Sequence, residues 1–138
     1  MANPGTLRLA TLKIGRDDTG AGGLVPLTGG KPKPIIRFGE PGWEDPPVIV
    51  AHFPDAPKWR GTPEGWQVRA TISVLVPETA VENLEHTIAD RLAARLTNAR
   101  YTAKGVDTTV VETGRRPGNE LTRGLIRLDC QYQFTMSV

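Results

Sequence analysis

The end of the chain alternates without a break. Ile126, Leu128, Cys130, Tyr132, Phe134, Met136 and Val138 are apolar, and Arg127, Asp129, Gln131, Gln133, Thr135 and Ser137 between them are polar. A period of two sustained this long predicts a strand with one buried and one wet face. The same pattern places Trp66, Val68, Ala70, Ile72, Val74 and Val76 opposite Gln67, Arg69, Thr71 and Ser73. Pro77 closes this second strand, and Thr79 with Glu82 then has the spacing of a capping box, which predicts a helix starting there. Val81, Leu84, Ile88, Leu92 and Leu96 follow at intervals of three and four, the stripe a helix lays on a sheet. Glu82 and Glu85 lie early and Arg91, Arg95 and Arg100 late, which suits the helix dipole by about 0.3–1 kcal/mol each. This helix is expected to end near Asn98.

Two shorter strands complete the pattern: Pro47 to Phe53, carrying Val48, Ile49 and Val50, and Val106 to Thr113, rich in Thr and Val. Pro54, Pro57, Gly61, Pro63 and Gly65 fill the link from Phe53 to Trp66, and Gly114, Pro117 and Gly118 fill the link from Thr113 to Leu121. Each pair therefore reads as a hairpin with an irregular loop. The expected fold is α+β, an antiparallel four-stranded sheet packed against one long helix in the order ββαββ. Leu7, Ala10 and Ile14 suggest a short N-terminal helix over Pro4 to Ile14. Residues 15–46, dense in Gly and Pro, read as a long irregular segment crossing the domain.

Composition narrows the options. A length of 138 residues suits a single domain spanning 1–138. Seventeen basic residues against fifteen acidic ones leave a net charge of +2, too weak to make nucleic acid the main partner of the whole surface. The single Cys130 excludes an internal disulfide framework and fits synthesis in a reducing cytoplasm. Met1 to Leu12 carries no contiguous apolar signal region, and no apolar run approaches the roughly 18 residues of a membrane span, so no membrane partner is expected.

Candidate chemistry is sparse. Asp18-Thr19-Gly20-Ala21 matches the loop that presents the catalytic carboxylate of retropepsin-like aspartic proteases, where an apolar strand brings two carboxylates together to share a proton. Here Ile14-Gly15-Arg16-Asp17 precedes it, polar where that strand is buried, and Gly22-Gly23 follows at once. The alternative is a turn in which Asp17 or Asp18 accepts hydrogen bonds from local backbone N–H groups. Gly20, Gly22 and Gly23 lack the Gly-Lys-Ser/Thr ending of a phosphate loop, and Gly29-Gly30-Lys31 runs into Pro32. His52 and His86 share no metal-ligand spacing with a Cys or carboxylate, and Cys130 sits on an apolar strand face. No catalytic residue, cofactor site or metal site is predicted, and the chain does not read as an enzyme.

Arg115 and Arg116, in the expected last loop, form a local basic cluster with Arg123 and Arg127. Trp43 and Trp59 lie among Pro and Gly, where an aromatic side chain either caps a core edge or anchors a neighbouring molecule.

The whole arrangement resembles the tail terminator or tail completion proteins of long-tailed bacteriophages, which also occur in prophages and gene-transfer particles. The likeness covers most of the chain and lies in order and spacing. A short N-terminal element leads to the glycine-rich passage Asp18-Thr19-Gly20-Ala21-Gly22-Gly23-Leu24-Val25. Pro46-Pro47-Val48-Ile49-Val50, the broken hairpin to Trp66, the helix bearing Ala89-Asp90-Arg91-Leu92 and the final alternating strand follow. The resemblance implies a virion protein of the tail and neck, made in a bacterial cytoplasm. Such proteins form a ring, commonly a hexamer, that caps the head-proximal end of the tail tube, ends tube polymerisation and joins the tail to the head connector. The implied partners are copies of itself, the tail tube protein, a head-completion or connector protein, and genomic DNA passing through the lumen without sequence specificity. Trp43, Pro57, Trp59 and Arg60 are then expected at subunit or tube contacts, within or beside the loops Lys31 to Gly42 and Pro54 to Gly65. Arg115, Arg116 and Arg123 are expected near the DNA path. A head-completion or other neck protein of the same particle is the alternative reading, and the aspartic protease a remote one.

Overall fold

The computed structural model describes residues 4–42, 45–53, 60–62, 65–98, 101–103, 106–118 and 124–137. Two long strands, β4 (Gly65–Pro77) and β7 (Leu125–Ser137), pair antiparallel along their whole length, from Gly65 opposite Ser137 to Pro77 opposite Leu125. That register puts Val68, Ala70, Ile72 and Val74 beside Phe134, Tyr132, Cys130 and Leu128, all buried on one face. β2 (Val48–His52) flanks β4, and β6 (Val106–Pro117) flanks β7, both antiparallel. Helix α3 (Leu84–Asn98) lays Ile88, Ala89, Leu92 and Leu96, each fully buried, against β4, β6 and β7. The four strands and the long helix expected from the sequence are thus present and in the expected order.

The sheet is larger than four strands, and it is mixed. Short strands β1 (Ile35–Arg37), β3 (Arg60–Thr62) and β5 (Tyr101–Ala103) bring it to seven, in the order β1-β2-β4-β7-β6-β5 with β3 paired to β4. β1 runs parallel to β2, Ile35 opposite Ile49. Ile35 and Ile36 are both buried, so this strand shows a continuous apolar pair instead of an alternation, as a strand covered on both faces does. The other two additions are three residues each, too short to establish a period.

Residues 15–46 are correspondingly not slack. Helix α1 (Pro4–Asp17) continues past Ile14, a second helix α2 (Leu24–Leu27) follows, and Leu24 and Ile35 are fully buried. Gly15 lets α1 approach β1: a Cβ there would lie 2.8 Å from the Ile35 side chain. α1 also touches α2, α3 and both β1 and β5, the two ends of the strand order, so the sheet curls around its helices. All three helices contribute to one apolar core, with Leu7, Leu12 and Leu24 joining the α3 stripe. The opposite face, with Gln67, Arg69, Thr109, Val111 and Arg116 exposed, carries no helix among the described residues.

The start of α3 differs from the capping-box reading. After Pro77 the chain turns, with Ala80 N–H donating to the Pro77 carbonyl at 3.0 Å, and the helix begins only at Leu84. Asn83 sits just before it at φ 64, and its carbonyl accepts from the His86 and Thr87 N–H groups. Thr79 and Glu82 are exposed in the turn, and Val81, expected on the buried stripe, is 74% exposed. The left-handed residue at 83 rotates everything before it off the helix.

Candidate functional site

The strongest polar cluster joins the glycine-rich passage to α3. Asp18, only 4% exposed, accepts from Arg91 Nε at 2.9 Å and Arg91 Nη2 at 2.6 Å, and from the Leu24 N–H at 2.8 Å. Arg95 Nε stands 3.8 Å from the same carboxylate. Asp18 therefore caps the first N–H of α2 while closing a two-pronged bridge to α3. Gly23 makes the turn: a Cβ on it would lie 2.5 Å from the Asp18 carbonyl and 3.0 Å from Asp18 Oδ1. The hydrogen bonds from Arg91, aided by the Leu24 N–H, hold the Asp18 carboxyl below its ordinary range against the opposing cost of burial. The turn reading of the Asp18 region thus describes its geometry, with a partner from α3 that the local sequence did not name. A buried carboxylate committed to a guanidinium does not share a proton with a second carboxylate, the arrangement an aspartic protease needs.

The basic cluster divides. β6 runs on through Arg115 and Arg116 to Pro117, where a loop was expected, and it carries an extra residue between Glu112 and Gly114. Glu112, opposite Tyr132, follows the alternation onto the helix side, and the bulge at Thr113 shifts the parity so that Arg115, opposite Cys130, lies there too. Arg115 is bound there by Glu112 at 2.9 Å and by Asp90 of α3 at 2.7 Å. Among the described members, only Arg116, opposite Asp129, stays on the open face and exposed. Arg127 on the same face donates to Asp129 at 2.8 Å. Arg123 lies outside the described residues. The Tyr132 hydroxyl and Glu112 Oε2 are both buried without a hydrogen-bond partner among the described residues, on neighbouring positions of the ladder. Burial, reinforced by Glu112, pushes the Tyr132 phenol up, and burial likewise pushes the Cys130 thiol up to about 12. Neither is a nucleophile at neutral pH.

A third feature lies where β1 and β2 end beside α1. Arg8, Arg37, Phe38, Ala51, His52 and Phe53 line an open cavity of ≈ 200 Å³. The Phe38 and His52 rings meet at 4.7 Å, and Phe38 is 70% exposed. Arg8 has no ion-pair partner among the described residues. Arg37 reaches Glu40 only at 3.9 Å, and Glu40 is taken more closely by Lys33. Two guanidinium groups and the His52 ring thus line the cavity beside the exposed Phe38, with Ala51 and Phe53 buried behind them. The sequence signals for this site are Ile35-Ile36-Arg37-Phe38 and Val48 to Phe53, two short runs whose ends are brought together only by parallel pairing.

Of the residues expected at subunit or tube contacts, Trp43, Pro57 and Trp59 lie outside the described residues, and Arg60 is placed on β3 by its backbone. His86 is exposed and stands 3.8 Å from the Glu85 carboxylate. No group of three or more His, Cys, Asp or Glu side chains forms a metal-binding cluster among the described residues. No described helix is long and apolar enough to cross a membrane.

No family model matches the chain, and no characterised protein matches it in sequence. Among solved structures the fold recurs. One, which carries no functional name, matches with a TM-score of 0.62 over 100% of this chain and 98% of its own, at 13% identity. A likeness at that identity shows the shared fold and no more.

Proposed function

We propose that this chain is a structural virion subunit that forms a ring at the head-proximal end of a phage tail tube, ends tube growth and joins the tail to the head connector. The observation that carries the reading is the division of labour in the sheet. Every described helix packs into one curled face, and the residues richest in chemistry, Asp18, Arg91, Glu112, Arg115 and Asp90, are spent tying α3 to the α1–α2 connection and to β6. What remains for function is surface: an open face of strands 12 and 13 residues long, a β6 edge beyond Thr108 with no strand partner among the described residues, and the cavity beside α1. A ring needs two complementary side surfaces and two different end surfaces, and such surfaces suffice where contact geometry is the mechanism.

The open face suits a wall beside DNA. Arg69, Arg116 and Arg127 project there, with Asp129 and a field of uncharged Gln and Thr side chains. A mild excess of positive charge attracts a polyanion without gripping its sequence. The test is tube growth. Polymerising tail-tube protein is expected to stop at shorter lengths when this chain is added substoichiometrically, read by pelleting and length distribution. Unchanged tube lengths at saturating chain would overturn the reading.

A further inference from the structure

The turn between β4 and α3 and the cavity beside α1 form a complementary pair on one molecule. In the turn, Val81 is 74% exposed, and the exposed carboxylates Glu78 and Glu82 flank it with no ion-pair partner among the described residues. In the cavity, Phe38 supplies the exposed apolar wall, and Arg8 and Arg37 supply positive charge. An apolar knob between two anions matches, in chemical terms, a socket that sets one exposed aromatic ring beside two cations. The socket's ≈ 200 Å³ is ample for an isopropyl group, since roughly 150 Å³ holds a benzene-sized guest.

Their placement forbids contact within one chain. The socket lies where β1 and β2 end, with His52 opposite Thr71 in the middle of β4, and the knob follows Pro77 at the end of β4. Thr71 and Pro77 are about 20 Å apart at ~3.3 Å per strand residue. Complementary patches about 20 Å apart on one molecule can make a head-to-tail contact, which repeats around a ring if its rotation closes. A two-fold dimer would instead seat each knob in the other copy's socket, so a wild type that stops at a dimer would overturn ring closure.

We infer that the Glu78–Glu82 turn of one copy seats Val81 in the Arg8–Arg37–Phe38 socket of the next, and that this contact closes the ring. The inference rests on the ring-forming reading above and identifies its side surfaces. Val81 supplies the desolvated centre, and the Glu–Arg pairs form a rim that sets direction and association rate more than strength.

Sedimentation velocity over a concentration series tests it with the full chain. Wild type is expected to form oligomers larger than a dimer, weakening as salt rises. Val81→Asp and the double variant Arg8→Glu/Arg37→Glu each remove one side of the contact, and each alone is expected to run as a monomer, with at least tenfold weaker self-association. Circular dichroism checks that both stay folded, as the exposure of Val81 and Arg37 and the partial exposure of Arg8 allow. Mixed together they retain one intact knob and one intact socket, so the expected product is a heterodimer and nothing larger. Oligomers unchanged by the substitutions, a mixture that stays monomeric, or a wild type that is monomeric throughout would each overturn the contact. If the variants still form rings that stop tube growth, the capping function stands and this contact falls. If the heterodimer forms but wild-type oligomers never affect tubes, the contact stands and the capping function falls.

Discussion

Arg91 of α3 grips Asp18 of the glycine-rich passage through two hydrogen bonds of 2.9 and 2.6 Å, although 73 positions separate them in the chain. The same carboxylate accepts the Leu24 N–H, so one side chain fixes the α1–α2 connection to the long helix. Removing it leaves a donor and a guanidinium without their partner.

Asp18→Ala is accordingly expected to destabilise the fold by roughly 1–3 kcal/mol in urea unfolding, the cost of orphaned polar groups. The pH dependence has a definite sign. The folded carboxyl titrates below its ordinary value of 3.8, so the stability it contributes is complete above that value and is lost as pH falls through the folded one. Wild type and Asp18→Asn therefore differ most near neutral pH and converge in acid below about pH 4. A constant difference down to strongly acidic pH would contradict the clamp.

Gly23→Ala tests the same connection from the backbone. With a Cβ 2.5 Å from the Asp18 carbonyl the turn must open, and a loss of about 1–3 kcal/mol is expected, whereas Gly20→Ala, with nothing within 4 Å, is expected to change stability by less than ~0.5 kcal/mol.

The core makes a plainer demand. Leu92 is fully buried on α3 and Leu9 is 67% exposed on α1. Leu92→Ala is expected to cost about 2–5 kcal/mol and Leu9→Ala less than ~0.5 kcal/mol, measured by thermal or chemical unfolding.

Long strands and the long helix were legible because their period is sustained: from Val68 to Val76 and from Leu128 to Phe134 every second residue is buried. Where two physical effects overlapped, the pattern misled. Ile35 and Ile36 are both buried, so β1 carried no alternation. Val81 continued the helical stripe arithmetically, but Asn83 at φ 64 breaks the helix before it. Gly114 and Pro117 looked like a loop because a bulged edge strand tolerates both residues. The Asp18–Arg91 bridge left only a faint trace, two arginines four apart bordering the α3 stripe, since nothing local pairs them with a residue in another segment.

Arg115 and Arg116 separate the structural cations from the exposed ones. Arg115→Gln loses its bonds to Glu112 and Asp90 and is expected to cost about 1 kcal/mol, discounted because Asp90 is largely exposed. Arg116→Gln is expected to leave stability within ~0.5 kcal/mol while reducing the salt-dependent DNA affinity of the assembled ring, measured by fluorescence anisotropy across a salt series. Equal effects of the two on stability would contradict the parity shift at Thr113.

Cys130 reports on the integrity of the sheet. Fully buried, with its thiol pushed up to about 12, it is expected to resist a thiol reagent at pH 8 until denaturant opens the core, followed by absorbance. Rapid labelling of native protein would contradict its placement beneath α3.

The central claim is that this chain works as a ring seated on a tube. Negative-stain electron microscopy of the purified protein, alone and mixed with tail tubes from the same particle, tests it most directly. Closed rings, and tubes bearing one such ring at a single end, are the predicted result. Monomers that leave both tube ends bare, or chains that coat tubes along their length, would contradict it.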